Sequence, residues 1–222
     1  AGGPANATAV FRGTTGIVAG STESIELNTL AGKVDQVADI QGQSGAAQNL
    51  VLRGAAAYEL TRAGNSVSKL AADSGGGTVH YVNAGALELG NVATANLPSG
   101  VALTAGKSLE RAGDVWVRAL GGDLTLSAIA DVSTFSLGLD ASGNVVQTGG
   151  FITAGTLGAR AQTGSVLLGS TNAVGRFTAD AAVDVLFKEA DGYTVGSLGN
   201  SPLTVAGGPA NATAVFRGTT GI

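Results

Sequence analysis

The chain has 222 residues, of which 44% are hydrophobic and only 13% charged, with 36 glycines and a formal net charge of −4. A chain this apolar and this poor in charge is not a disordered segment. Its dispersed Lys and Arg under a net negative charge exclude the basic face that nucleic acid requires, and the absence of cysteine excludes a disulfide framework and a thiolate zinc site.

In chain order, the first element is a repeat. Residues 1–17, AGGPANATAVFRGTTGI, recur letter for letter at 206–222, an offset of 205. Residues 1–205 are therefore one full tandem unit and 206–222 the start of the next, and the chain is expected to be cut from something longer. The lack of methionine and of a signal-peptide pattern agrees with that expectation. The sequon at Asn6, copied at Asn211, is read as incidental.

Short stretches of period-2 alternation follow, as strands require. They are SIELNTL (24–30), NLVLRG (49–54), ALELGNV (86–92), DVWVRAL (114–120), GDLTLSA (122–128), TFSLGLD (134–140) and GSVLLGS (164–170). KVDQVADI (33–40) spaces Val34, Val37 and Ile40 by three, and is read as a strand with a corner in it rather than a helical turn. Gly, Asn, Asp and Ser punctuate these stretches as turn formers. No run approaches the roughly 18 apolar residues of a membrane-spanning helix, so membrane insertion is not expected.

Inside the unit a weaker repeat relates 64–92 to 171–198, making two diverged halves most alike over about 47–92 and 153–198. It matches Asn65 with Asn172, Leu70 with Phe177, Val79 with Val185, and Gly90 with Gly196. These Asn and Gly residues are the predicted structural turns, since Asn and Gly take tight corners at low cost. A barrel or sandwich closes on itself, whereas a β-solenoid extends by stacking coils. The fold predicted is all-β, a parallel β-helix continuing beyond both chain ends. At roughly 20 residues per coil the unit would hold ~10 coils and span ~50 Å.

GDLTL (122–126), VVQTGGFITAGTL (145–157), GSVLLGSTNAVGRF (164–177) and the half-repeat segments resemble the repeat regions of filamentous-haemagglutinin-like bacterial exoproteins. The resemblance implies a right-handed β-helix at the bacterial cell surface or outside the cell, in a fibre or giant adhesin. The expected partners are identical units end to end in the same chain, with lateral self-association or a host glycan beyond them.

Catalytic, metal and cofactor sites are not expected. His80 is the only histidine, which removes most catalytic triads and all histidine-cluster metal sites. The carboxylates are scattered as Asp35 and Asp39, Asp114 and Asp123, Asp180 and Asp184, and Glu189 and Asp191. They are read as turn-flanking groups rather than an acid–base pair. DSGGGTVHY (73–81) only faintly resembles a calcium-binding nonapeptide. Trp116 alternates with Val115 and Val117, so it points away from them, either into a corner or into solvent. Exposed, and joined by Tyr58 or Tyr193, it would be the candidate surface contact for a glycan.

Overall fold

A computed structural model describes residues 15–19, 24–42, 49–93, 97–101 and 103–196. The duplicated ends 1–14 and 206–222, with the sequons at Asn6 and Asn211, lie outside the described residues. Every element among the described residues is a strand.

The chain opens with β1 (Thr15–Ala19) and then winds in coils. The first coil is β2 (Ser24–Asn28), β3 (Lys33–Asp35) and β4 (Asp39–Gly42). The second has β5 (Asn49–Arg53) and β6 (Ala57–Leu60), and the third β7 (Lys69–Asp73), β8 (Val79–Asn83) and β9 (Leu87–Leu89). Next come β10 (Lys107–Glu110), β11 (Val115–Ala119) and β12 (Leu124–Leu126), then β13 (Ile129–Asp131), β14 (Ser136–Ala141) and β15 (Val145–Gln147). Two long strands that turn corners without breaking follow, β16 (Ile152–Ala161) and β17 (Val166–Ala181). The described chain finishes with β18 (Val185–Glu189) and β19 (Thr194–Val195).

All pairings are parallel and run from coil to coil, so the molecule is a three-faced β-solenoid. Face A stacks β2, β5, β7, β10, β13 and the first part of β16. Face B stacks β3, β6, β8, β11, β14, the rest of β16, the end of β17 and β19. On face C, β1 pairs with β4 and Gln41 bridges to Ser66; β9, β12, β15, the start of β17 and β18 then continue the stack.

Alternation explains the core, because every second side chain of each strand points inward. On face B one row runs Val34, Tyr58, Val79, Val115, Leu137, Leu157, Phe177, Val195, each directly over the last. Tyr58 through Phe177 in that row are at most 1% exposed. A second row, Leu52, Ala72, Leu109, Ala130 and Ile152, fills face A with no exposed surface. At 33–40 the chain does turn a corner, leaving Val37 91% exposed between β3 and β4.

The expectation of roughly 20 residues per coil is corrected, since the face B row takes seven steps from Val34 to Val195, 195 − 34 = 161 residues, or about 23 per coil. Corners several residues long lengthen the early coils, and one coil carries an insertion. That insertion falls between β9 and β10, and its described residues 90–93, 97–101 and 103–106 form a strap on the outer side of face A. Its Val92, Leu97 and Leu103 form a second apolar cluster with Val51 and Ala71, which point outward from β5 and β7. Trp116 does point away from Val115 and Val117, which belong to the main core.

The two sequence halves match in pattern but not in place. Leu70 stacks on Leu50 of face A, whereas its counterpart Phe177 stacks on Leu157 of face B. Val79 lies on face B under Val115, whereas its counterpart Val185 lies on face C beside Val166. Those positions are displaced by one face, whereas Gly90 follows face C and its counterpart Gly196 follows face B, so the displacement is not constant along the match.

Candidate interaction surface

The corner residues are built first. Asn65 is fully buried, its Oδ1 accepting from the Ile40 N–H at 2.9 Å. Its Nδ2 donates to the carbonyls of Leu60 (3.0 Å) and Val82 (3.1 Å), and to Gln36 Oε1 (3.1 Å). One amide thus satisfies backbone groups of three successive coils. Asn172, also fully buried, accepts from the Ile152 N–H at 2.9 Å and donates to the Lys188 carbonyl at 3.1 Å and the Ser170 carbonyl at 2.9 Å. Gln147 stands beside it as Gln36 stands beside Asn65.

Both predicted glycines lie directly after apolar strand positions. A Cβ on Gly90 would come within 2.4 Å of Glu88 Oε1, the free end of a side chain that can move aside, and Gly90 is not in the left-handed region. At Gly196 the nearest atom would be Arg176 Cδ at 3.4 Å, an ordinary contact.

Two further corner devices were not among the predicted turn residues. Asn83, 1% exposed, exchanges hydrogen bonds with the N–H and carbonyl of Val67 at 2.9 and 3.0 Å. Ahead of face C, a polar ladder climbs the stack. Asp123 Oδ1 accepts from the Asn144 N–H (2.7 Å), Asn144 Oδ1 from the Ser165 N–H (2.8 Å), and Ser165 Oγ from the Asp184 N–H (3.3 Å). The signal was there, in the residue that precedes LTL, VVQ, VLL and VLF at each coil.

Trp116 is only 1% exposed, which corrects its candidacy as a glycan platform. His80 meets the ring edge-on at 6.5 Å, and the residue directly above is Gly138. Tyr58 does not join it, being fully buried with its hydroxyl donating to the Leu27 carbonyl at 3.1 Å. Farther along the outer side of face B, Asp140 is fully buried between Arg118, 3.2 Å away, and Arg160, whose Nε donates at 3.0 Å. The Asp140 hydrogen bond holds the Arg160 guanidinium above its ordinary pKa despite desolvation.

Several of the other acidic groups have local partners. Asp35 pairs with Lys33 at 2.8 Å and Asp39 with Arg62 at 2.6 Å, while Asp114 accepts from the Ser136 N–H at 2.8 Å. Glu189 accepts from the Val174 N–H at 3.1 Å, and His80 Nδ1 lies 2.9 Å from Glu59. Asp73 of the glycine-rich stretch pairs with Arg111. Among the described residues no group of three or more His, Asp or Glu is placed to hold a metal ion. No helix among them is long and apolar enough to cross a membrane.

The inward rows are more exposed in the last described coil. There the inward rows reach Val185 and Val195, which are 40% and 47% exposed although their predecessors Val166 and Phe177 are fully buried. Phe187 stacks on Phe177 at 4.0 Å, and Tyr193 stands edge-on to Phe187 at 5.0 Å. Leu186 and Val183 beside them are 53% and 62% exposed. This apolar surface on the last described coil is the candidate interaction surface. Comparison with protein-family models, curated proteins and solved structures returned no match.

Proposed function

We propose that this chain is a structural repeat of a long extracellular bacterial fibre or giant surface adhesin. It supplies length and rigidity and displays surface for contact between cells or between cell and substratum. The observation that carries the reading is the face B row, eight residues in continuous register from Val34 to Val195. A stack of this kind gains about 25 cal/mol for each Å² of apolar surface that a further coil covers, and it meets a neighbour only at its ends. The 205-residue period supplies such neighbours within the same polypeptide.

The other two readings have less support. A rod face that binds glycan loses its aromatic platform with Trp116 and Tyr58 buried. A carbohydrate-active enzyme needs free carboxylates converging on one face, whereas Asp123, Asp140 and Glu189 are engaged in corners and ladders. Electron cryomicroscopy of the native, uncut protein tests the fibre reading. Continuous rods one solenoid wide support it; discrete beads joined by linkers refute it.

A further inference from the structure

The outer side of face A is stepped. Over its lower half lie the described residues of the strap. Ser99 donates to Glu26 of β2, the Val101 carbonyl accepts from Arg53 of β5, and Thr104 donates to Glu110 of β10. Between these ties Val92, Leu97 and Leu103 pack on Val51 and Ala71. Among the described residues the strap's last bond up the stack is the Gly106 carbonyl, which accepts from the Ile129 N–H at 2.7 Å. The outward column that holds Val51 and Ala71 then runs on through Ile129 to Phe151. Ile129 is half-buried and Phe151 is 42% exposed. One rung higher, Thr171 and Ala173 of β17 are exposed as well. The upper half of face A thus continues the surface that the strap covers below, one chain thickness lower.

We propose that this bare half receives the strap of a second copy of the chain, the two rods lying side by side and antiparallel about a two-fold axis along the strands. Face A has the rungs β2, β5, β7, β10, β13, β16 and β17. A two-fold through β10 exchanges β5 with β16 and β2 with β17. Val101, tied to β5 and 58% exposed, then falls at the height of Phe151 in the other copy. Ser99, tied to β2, falls at the height of Thr171 and Ala173. Each step fills the other's recess, and the same contact is made twice, as a two-fold interface requires. Charge favours the match, because interface cores are depleted of charged residues. Residues 90–106 contain no charged side chain, and Asp131, the acid beside Ile129, is already held by Lys107 at 3.3 Å. Seven rungs at about 4.8 Å and strands about 17 Å long give roughly 500 Å² per partner and roughly 1,000 Å² in all, the size of a transient contact.

This inference goes beyond the fibre reading: units of one polypeptide meet at their ends, and a second chain meets the sides. The chain contains no cysteine, so introduced thiols are unambiguous. Two batches of the 222-residue chain, one carrying Val101→Cys and the other Phe151→Cys with a mass tag, are mixed and bridged with dibromobimane. Within one chain the two positions stand four rungs apart, about 19 Å, too far for the reagent. The expected result is mixed dimers several-fold in excess of dimers linked Val101 to Val101 or Phe151 to Phe151. Self-linked dimers as abundant as mixed ones, or no covalent dimer at all, overturn the proposal. Sedimentation of the cysteine-free chain gives a second reading. Val101→Asp leaves the strap's own bonds intact, since the main chain of Val101 holds Arg53, and is expected to weaken dimerisation about tenfold. Val37→Asp, at an exposed corner between faces B and C, is expected to leave it unchanged. Equal effects of the two substitutions, or a chain that sediments as a monomer at every concentration, refute the pairing. Failure of the fibre reading would instead appear as beads in micrographs of the native protein, whatever the bridging yields.

Discussion

Between faces A and B, the early coils turn through residues in the left-handed region, with φ of 89° at Gly32, 83° at Gly54, 54° at Gly75, 49° at Arg111 and 53° at Ser133. β16 and β17 turn the same corner through Gly155 and Gly175 without interrupting the strand. Backbone pairing between coils continues at both kinds of corner, as when the Gly54 N–H donates to the Asp73 carbonyl at 3.1 Å and the Gly155 N–H to the Phe135 carbonyl at 2.9 Å. Other corners are plugged by buried amides, Asn65 and Asn83 in the early coils and Asn172 in β17. One solenoid thus holds two designs of corner, one tied by side chains and one tied by its own backbone.

The largest effect should come from breaking the first design. Asn65→Ala strands the Ile40 N–H and the Leu60 and Val82 carbonyls in a buried corner, at an expected cost of about 3 kcal/mol. Chemical denaturation of the 222-residue chain measures it; a loss below about 1 kcal/mol would mean that the corner re-pairs through its backbone. The second design should break at one glycine and not the other. A Cβ on Gly155 would stand 2.1 Å from the Thr134 carbonyl oxygen, whereas on Gly175 the nearest atom is 3.0 Å away. Gly155→Ala is expected to cost about 2–3 kcal/mol and Gly175→Ala less than about 1 kcal/mol, read by the same titration. Equal costs would show that the bend does not depend on close approach.

Acid should separate the two regions with the smallest energetic effect, because it acts on the strap. Glu110 accepts from the Thr104 N–H at 3.0 Å and from its hydroxyl at 2.5 Å. Desolvation pushes its pKa up, but those hydrogen bonds and the charges of Lys107 and Arg111 outweigh it, leaving the pKa below the ordinary value of 4.5. A carboxylate with a lowered folded pKa stabilises the fold fully above its unfolded value and loses that contribution as pH falls through the folded one. Amide exchange at Val92, Leu103 and Thr104, corrected for intrinsic rate, should therefore rise below about pH 4.5 while β16 and β17 stay protected. Equal loosening of both regions would remove the strap from the explanation.

The strands and the corner at 33–40 were legible in the sequence because alternation and turn residues are local properties. The outer side of the coil was not. Alternation placed Trp116 opposite Val115 and Val117, yet its burial depends on surroundings that one strand does not encode. The strap left a trace only in spacing, 37 residues from Leu87 to Leu124 where later face C strands stand about 20 apart. The matched halves show the same limit. Asn65 and Asn172 occupy different corners but bond alike, so the alignment detected a way of turning that the chain uses on more than one edge.

The strap sits on face A only, and it is held there by more than apolar contact. Glu26 and Arg53 pair beneath it with side chains 5% and 11% exposed, Ser99 donates to Glu26 through its N–H and hydroxyl at 2.9 and 2.8 Å, and Arg53 donates to the Val101 carbonyl. The strap therefore thickens one side of the described stack and leaves the outer sides of faces B and C without such a cover, like a ruler graduated along one edge. A flat surface laid against the rod meets the strands themselves on the plain sides and the strap on the third.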